Sequence, residues 1–131
     1  MTRGDEIHHR ALPPIILNMN QIIKKFVIDI DGVLNDKFKW SYEDSFYRRA
    51  KMLMAINPQK DMIKKVNEIY DQGHQIILHT SRLWHDFRMT TKWLKKHKVK
   101  YHTLIMAKPI GNYYIDDKNI TMEEFKKWNN K

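Results

Sequence analysis

Apolar and polar positions along the chain divide it into short strands and longer helices in alternation. Phe26, Val27, Ile28 and Ile30 make a continuous apolar run, which predicts a buried strand over 26–30. The stretch 34–57 has no clean period. It mixes aromatics (Phe38, Trp40, Tyr42, Phe46, Tyr47) with charges and reads as an ordered loop or hairpin holding at most a helical turn. An irregular stretch of that length is usually functional. Asn57-Pro58 marks a helix start. Met62, Ile63, Val66, Ile69 and Tyr70 follow at helical spacing until Gly73 stops the run. A strand is predicted over 75–79. A second helix presents Trp84, Phe87, Thr91 and Leu94 and ends near the lysine-rich "KKHKVK". Strands over 103–106 and 113–115 come next. Thr121 and Glu124 form a capping box opening a last helix, with Phe125 and Trp128 on its apolar side.

Strands alternating with helices predict an α/β fold: a Rossmann-like parallel sheet with right-handed crossovers and helices on both faces. The chain of 131 residues is the size of one domain, and 42% hydrophobic residues suffice for one core. We read 1–20 as an N-terminal extension and 21–131 as the single domain. The pair His8-His9 lies on that polar extension. Cysteine is absent, which excludes disulfides and thiolate metal sites. No apolar run approaches the roughly 20 residues of a membrane span, and the apolar piece after the first prolines is too short for a signal peptide. A cytoplasmic location is the expectation, with no membrane partner.

Net charge changes the picture modestly. Lys and Arg exceed Asp and Glu by nine, which favours anionic partners. The lysines fall in scattered doublets, such as Lys24-Lys25 and Lys95-Lys96. Solvated helix faces explain them better than a dedicated nucleic-acid stripe.

The candidate chemistry appears when each predicted strand is followed past its carboxyl end. The first is followed by Asp29, Asp31 and Gly32, and the second by Thr80, Ser81 and Arg82. Lys108 follows the third, and Asp116 with Asp117 the fourth. In a parallel sheet these ends share one edge, where ligands bind. Carboxylates at the rim of an apolar sheet repel one another and lose solvation. A hard divalent cation such as Mg²⁺ removes both problems. Residues two apart on a strand share a face, and Gly32 lets the chain curl after them.

These residues suggest roles in phosphoryl transfer. Asp29 attacks phosphorus, giving an aspartyl phosphate. Asp31, its pKa raised by its neighbours, protonates the leaving group and then activates water. Thr80 and the Ser81 amide hold phosphoryl oxygens. Lys108 neutralises charge. Gly32 amides and Arg82 add anion contacts, and Asp29, Asp31, Asp116 and Asp117 supply metal oxygens. His79 and His85 flank this edge; Arg82 and Arg88 are read equally as grips on a second substrate anion and as helix-surface charges.

The set resembles the haloacid dehalogenase superfamily of phosphohydrolases. "DIDGV" at 29–33, "QIILHT" at 75–80, Lys108 in "AKP" and "YYIDD" at 113–117 match its four motifs in order, across about residues 24–128. The resemblance implies Asp29 as nucleophile, Asp31 as acid–base residue and Asp116 as a magnesium ligand, with the Asp31 carbonyl as another. It implies that 34–57 is the family's flap, too short to be a large cap domain. Finer detail looks like small phosphatases of capsule or lipopolysaccharide sugar synthesis. Part of it is shared with polynucleotide 3′-phosphatase domains. The expected activity is Mg²⁺-dependent hydrolysis of a phosphomonoester, first a sugar phosphate and second a polynucleotide 3′-phosphate or nucleotide. An open site also suits a polymer end, and a homodimer is compatible with it.

Two non-enzyme readings compete. A receiver domain places its acidic pair first and its phosphoacceptor mid-chain, the reverse of the order here. A nucleic-acid-binding module has no need of carboxylates at the ends of its strands.

Overall fold

The structure is a computed structural model and describes residues 22–37 and 45–130. Three parallel strands form its sheet in the order β1 (Lys25–Asp29), β2 (Gln75–His79), β3 (Thr103–Ile105). Between them run α1 (Phe46–Ala55), α2 (Lys60–Asp71) and, after a 3₁₀ turn at Trp84–Asp86, α3 (Phe87–Lys96). A short α4 (Met122–Lys127) closes the chain. This is the α/β, Rossmann-like architecture expected, with helices flanking a parallel sheet and no large cap among the described residues. The N-terminal extension 1–20 and the centre of the predicted flap, with Phe38, Trp40 and Tyr42, lie outside them.

Register explains how the sheet aims its chemistry. Phe26, Ile28 and Ile30 alternate onto one face with Ile76 and Leu78. Met62, Val66 and Ile69 of α2, Trp93 and Leu94 of α3 and Phe125 of α4 join them in one core. Each such side chain contributes about 1.5–3 kcal/mol by leaving water. Phe26 also receives Phe125 and Trp128 edge-on at 5.8 and 4.9 Å, which docks the chain end against β1. The opposite face carries Val27, Ile77 and Ile105. It is less covered than helices on both faces would make it: Val27 is 59% exposed and Ile105 49%.

Helix ends follow their sequence signals. Gly73, at φ 96°, takes the left-handed position after α2, and its amide bonds the Tyr70 carbonyl at 3.0 Å. Thr121 and Glu124 form the expected reciprocal capping box. The start of α2 is shifted: Gln59, not Asn57, is its N-cap, because Pro58 is held in a bridge to Asn35. The irregular reading of 34–57 is corrected in part, since α1 occupies its second half. Ser45 caps α1 by accepting the Arg48 amide at 3.2 Å, and Arg49 and Leu53, four apart, form its buried stripe.

The predicted strand 113–115 does not form. Residues 110–120 are exposed throughout, with Tyr113 at 86% and Ile115 at 96%. Three residues of strand propensity have no structure without a partner edge and a covered face.

Candidate active site

The site begins where β1 runs out. Asp29 lies in register with His79 of β2, so both side chains leave the same face. Ile30 is fully buried and anchors the turn that follows. Its carbonyl accepts the amides of Val33, Leu34 and Asn35 at 3.1, 2.9 and 3.3 Å. Gly32 makes this curl at φ 85°, where an L side chain is strained and a Cβ would also press within 3.2 Å of Lys37. Leu34, fully buried, pulls the turn into the core.

Asp31 sits in that turn with both oxygens taken. Arg82 Nη2 and Asn35 Nδ2 donate to Oδ1 at 2.7 and 3.2 Å. Arg82 Nε and Thr80 Oγ1 donate to Oδ2 at 3.1 and 3.2 Å. The Arg82 pair is bidentate, the strong geometry for guanidinium and carboxylate. Arg82 is fully buried, whereas 28% of the Asp31 side chain is exposed. The third guanidinium nitrogen, Nη1, donates to Thr90 Oγ1 at 3.0 Å, and Thr90 donates to the Asp86 carbonyl at 2.8 Å. Asp86 in turn accepts Arg49 of α1 at 3.2 Å, with both side chains almost completely buried. The sequence reads Arg82 equally as an anion grip and as a helix-surface charge, and the structure buries it. All three of its nitrogens bond protein groups, and it clamps Asp31.

Lys108 reaches the site from the loop after β3. Two backbone bonds fix that loop to the β2 end: Ala107 N to the Arg82 carbonyl and Lys108 N to the Thr80 carbonyl, both 2.8 Å. Ala107 adopts a left-handed φ of 62° to make the bend. Lys108 Nζ then lies 2.8 and 2.9 Å from the two oxygens of Asp29. The Tyr114 ring covers the same ammonium, its centroid 4.1 Å away, a cation–π contact. Tyr114 is held in turn. Its hydroxyl donates to the Pro109 carbonyl at 2.9 Å and accepts the Gly111 amide at 2.8 Å.

His79 Nε2 approaches Asp29 Oδ1 at 3.2 Å. Burial pushes the His79 pKa below the usual 6.5. The Asp29 carboxylate opposes that shift and Lys108 adds to it. The imidazole is thus neutral at neutral pH, and Lys108 supplies the positive charge on Asp29. The Asp29 side chain remains 37% exposed, so it is an anchored carboxylate that a ligand can reach. Thr80, 2% exposed, bonds Asp31, and half-buried Ser81 follows it.

Asp116 and Asp117 do not join this group. Both are exposed, and Asp116 Oδ1 accepts the Lys118 amide at 2.9 Å in a local turn. Among the described residues no three His, Asp or Glu side chains are placed to hold a metal ion. Asp116 and Asp117 therefore do not complete a four-carboxylate set with Asp29 and Asp31 in this arrangement. Asp29 is occupied by an ammonium and Asp31 by a guanidinium, and the acidic pair has no strand to carry it there.

Of the residues named from sequence, the structure brings together Asp29, Asp31, Gly32, Thr80, Ser81, Arg82 and Lys108. His85 and Arg88 lie exposed on the following turn and on α3. Sequence reasoning missed Asn35, Thr90, Asp86, Arg49 and Tyr114. The signals were thin: an Asn four residues after Asp31, and an Arg49 in a stretch lacking period. The contact of His79 with Asp29 follows from strand register, which no local sequence pattern specifies.

No family model and no curated protein matches the chain. Solved structures do. A structural-genomics target from Vibrio cholerae is 24% identical with a TM-score of 0.64, over 82% of this chain and 90% of that one. A chain of the Pnkp1/Rnl/Hen1 complex is also 24% identical, with a TM-score of 0.50 over 81% of this chain and 36% of its own. These likenesses show the fold that the strand order defines.

Proposed function

We propose that the protein is a phosphomonoester hydrolase of the capless haloacid dehalogenase type, acting through an aspartyl phosphate on Asp29. One observation carries the reading. A partly exposed carboxylate at the end of a parallel strand with one face in the core is gripped through both oxygens by Lys108, with Thr80 and Asp31 near it. An Asp29 oxygen attacks phosphorus, the bond to the ester oxygen breaks, and the leaving alkoxide takes a proton. Water then attacks the same phosphorus and breaks the bond to Asp29, releasing phosphate. Lys108 offsets the charge that gathers as two anions meet, which is the main task in phosphoryl transfer. Thr80 and the Ser81 amide are the groups assigned to the phosphoryl oxygens in this reading.

Asp31 is the acid–base residue of this reading. Its oxygens take four hydrogen bonds, so carrying a proton requires it to exchange at least one of them, most simply the 3.2 Å bond from Thr80. The reading includes Mg²⁺ because paired carboxylates are the donor chemistry for a hard cation. Asp29 and Asp31 would hold it, and it would supply further positive charge to the phosphoryl group.

Purified protein supplied with Mg²⁺ and an aryl phosphate should release phosphate, and Asp29→Asn should lose that activity. Undiminished turnover by Asp29→Asn would remove the mechanism. Full activity in chelator would remove the cation alone.

A further inference from the structure

Helices α1 and α3, which pack together, differ from the rest of the molecule in charge. α1 (FYRRAKMLMA) carries three cations and no acid, and α3 (FRMTTKWLKK) four cations and no acid. By contrast α2 balances three lysines with Asp61, Glu68 and Asp71, and α4 balances two lysines with two glutamates. The net positive charge is therefore concentrated on one helix pair. That pair, with the 3₁₀ turn before α3, also carries exposed aromatic residues. Trp84 is 63% exposed, Phe87 39%, Phe46 53% and Tyr47 71%. Trp84 and Phe87 lie with ring centroids 5.5 Å apart. Lys51 lies 5.6 Å over the Tyr47 ring.

This shelf is joined to the site. Trp84 follows the Asp31 clamp Arg82 by two residues, at most about 7 Å of chain. The buried Arg49–Asp86 pair bolts α1 to the 3₁₀ turn that carries Trp84. Flat exposed rings among cations suit a ligand with repeated π-faces and repeated negative charge. A sugar phosphate has one charged group, which Lys108 meets, and no use for further exposed cations such as Lys51, Arg88 and Lys92.

We propose that this shelf binds single-stranded nucleic acid, its bases stacking on Trp84 and Phe87 and its phosphates meeting Lys51, Arg88 and Lys92. The terminal phosphomonoester of that strand then enters at Asp29, a placement that rests on the phosphatase reading. Stacking on aromatic side chains tolerates any base, and cations along the track supply most of the affinity.

The test measures binding apart from turnover. A fluorescent oligothymidylate without a terminal phosphate is titrated into the full chain at several salt concentrations. Binding should weaken steadily as salt rises. Arg88→Gln or Lys92→Gln should each flatten the logarithmic salt dependence by about 0.7, the value for one phosphate of a single strand. Trp84→Ala should weaken binding about fivefold or more, and Trp84→Phe should restore much of it. No binding at low salt, affinity indifferent to both Trp84→Ala and Phe87→Ala, or capture of anionic vesicles in place of the oligonucleotide would each overturn the proposal. Oligonucleotide binding by protein that fails to hydrolyse aryl phosphate would retain the shelf and remove the phosphatase reading. Hydrolysis without binding would do the reverse.

Discussion

Asp29 and Asp31 belong to one acidic motif, Asp116 and Asp117 to another, and both were expected at the ends of strands. The first motif has Ile28 and Ile30 behind it, nearly or fully buried, and a turn pinned by Leu34. Its carboxylates are met by Lys108, Arg82, Thr80 and Asn35. The second has Tyr113 and Ile115 behind it, both open to water, and its one hydrogen-bonded carboxyl closes a local turn. The side chains are of one kind, and burial behind them makes the difference. A carboxylate becomes part of a site when the backbone carrying it is packed, because packing fixes where its partners must be.

The contrast can be broken by substitution. The largest effect should come from Asp31→Leu, which leaves the buried Arg82 guanidinium without its anion. A loss of about 3–5 kcal/mol is expected for an orphaned buried charge, read by urea denaturation. Asp116→Asn and Asp117→Asn should change stability by less than about 0.5 kcal/mol, as surface substitutions do. Equal losses from the two motifs would end the comparison.

A second effect separates the parts of the Lys108 grip. Tyr114→Leu removes the ring over the ammonium, and aryl phosphate turnover should fall about threefold to thirtyfold, the range of a cation–π contact. Tyr114→Phe keeps the ring and should retain most of the rate. Equal losses from both would assign Tyr114 to loop folding through its hydroxyl.

Ile115→Asp is a sharper probe of the exposed segment. At 96% exposure the isoleucine contributes almost no burial, so the midpoint of unfolding should not move. A loss above about 1 kcal/mol would mean that 110–120 packs in solution.

Away from both regions, burial lowers the His97 pKa below 6.5, with Lys96 and Lys60 adding to the shift. A histidine depressed in the folded state contributes stability that is complete above its unfolded pKa and is lost as pH falls through the folded one. The protein should therefore weaken as pH drops from about 6.5 towards 5, and His97→Asn should weaken less over that window.

Much of this was legible in the residues. The run 75–79 and the apolar spacing of α2 specify their elements through burial alone, and Thr121 with Glu124 specifies a helix start through local hydrogen bonds. Gathering Asp29, Asp31, Thr80 and Lys108 needed only parallel strands with a common edge. What escaped depended on contacts distant in sequence. Arg82 reads as an anion-binding side chain until Thr90 and Asp31 are known to surround it. α1 lacks a broad apolar stripe because a buried arginine, paired with Asp86, takes one of its inward positions. The strand expected at 113–115 failed for the complementary reason, since propensity cannot substitute for a neighbour to pair with.

Ala107 bends the chain with a left-handed backbone, and that bend decides where Lys108 points. Glycine would adopt it without strain and asparagine nearly so, whereas valine or isoleucine would favour an extended backbone and swing the ammonium off Asp29. The repertoire tolerated at a residue that touches no ligand is thus narrow, and drift there would silence the lysine without altering it.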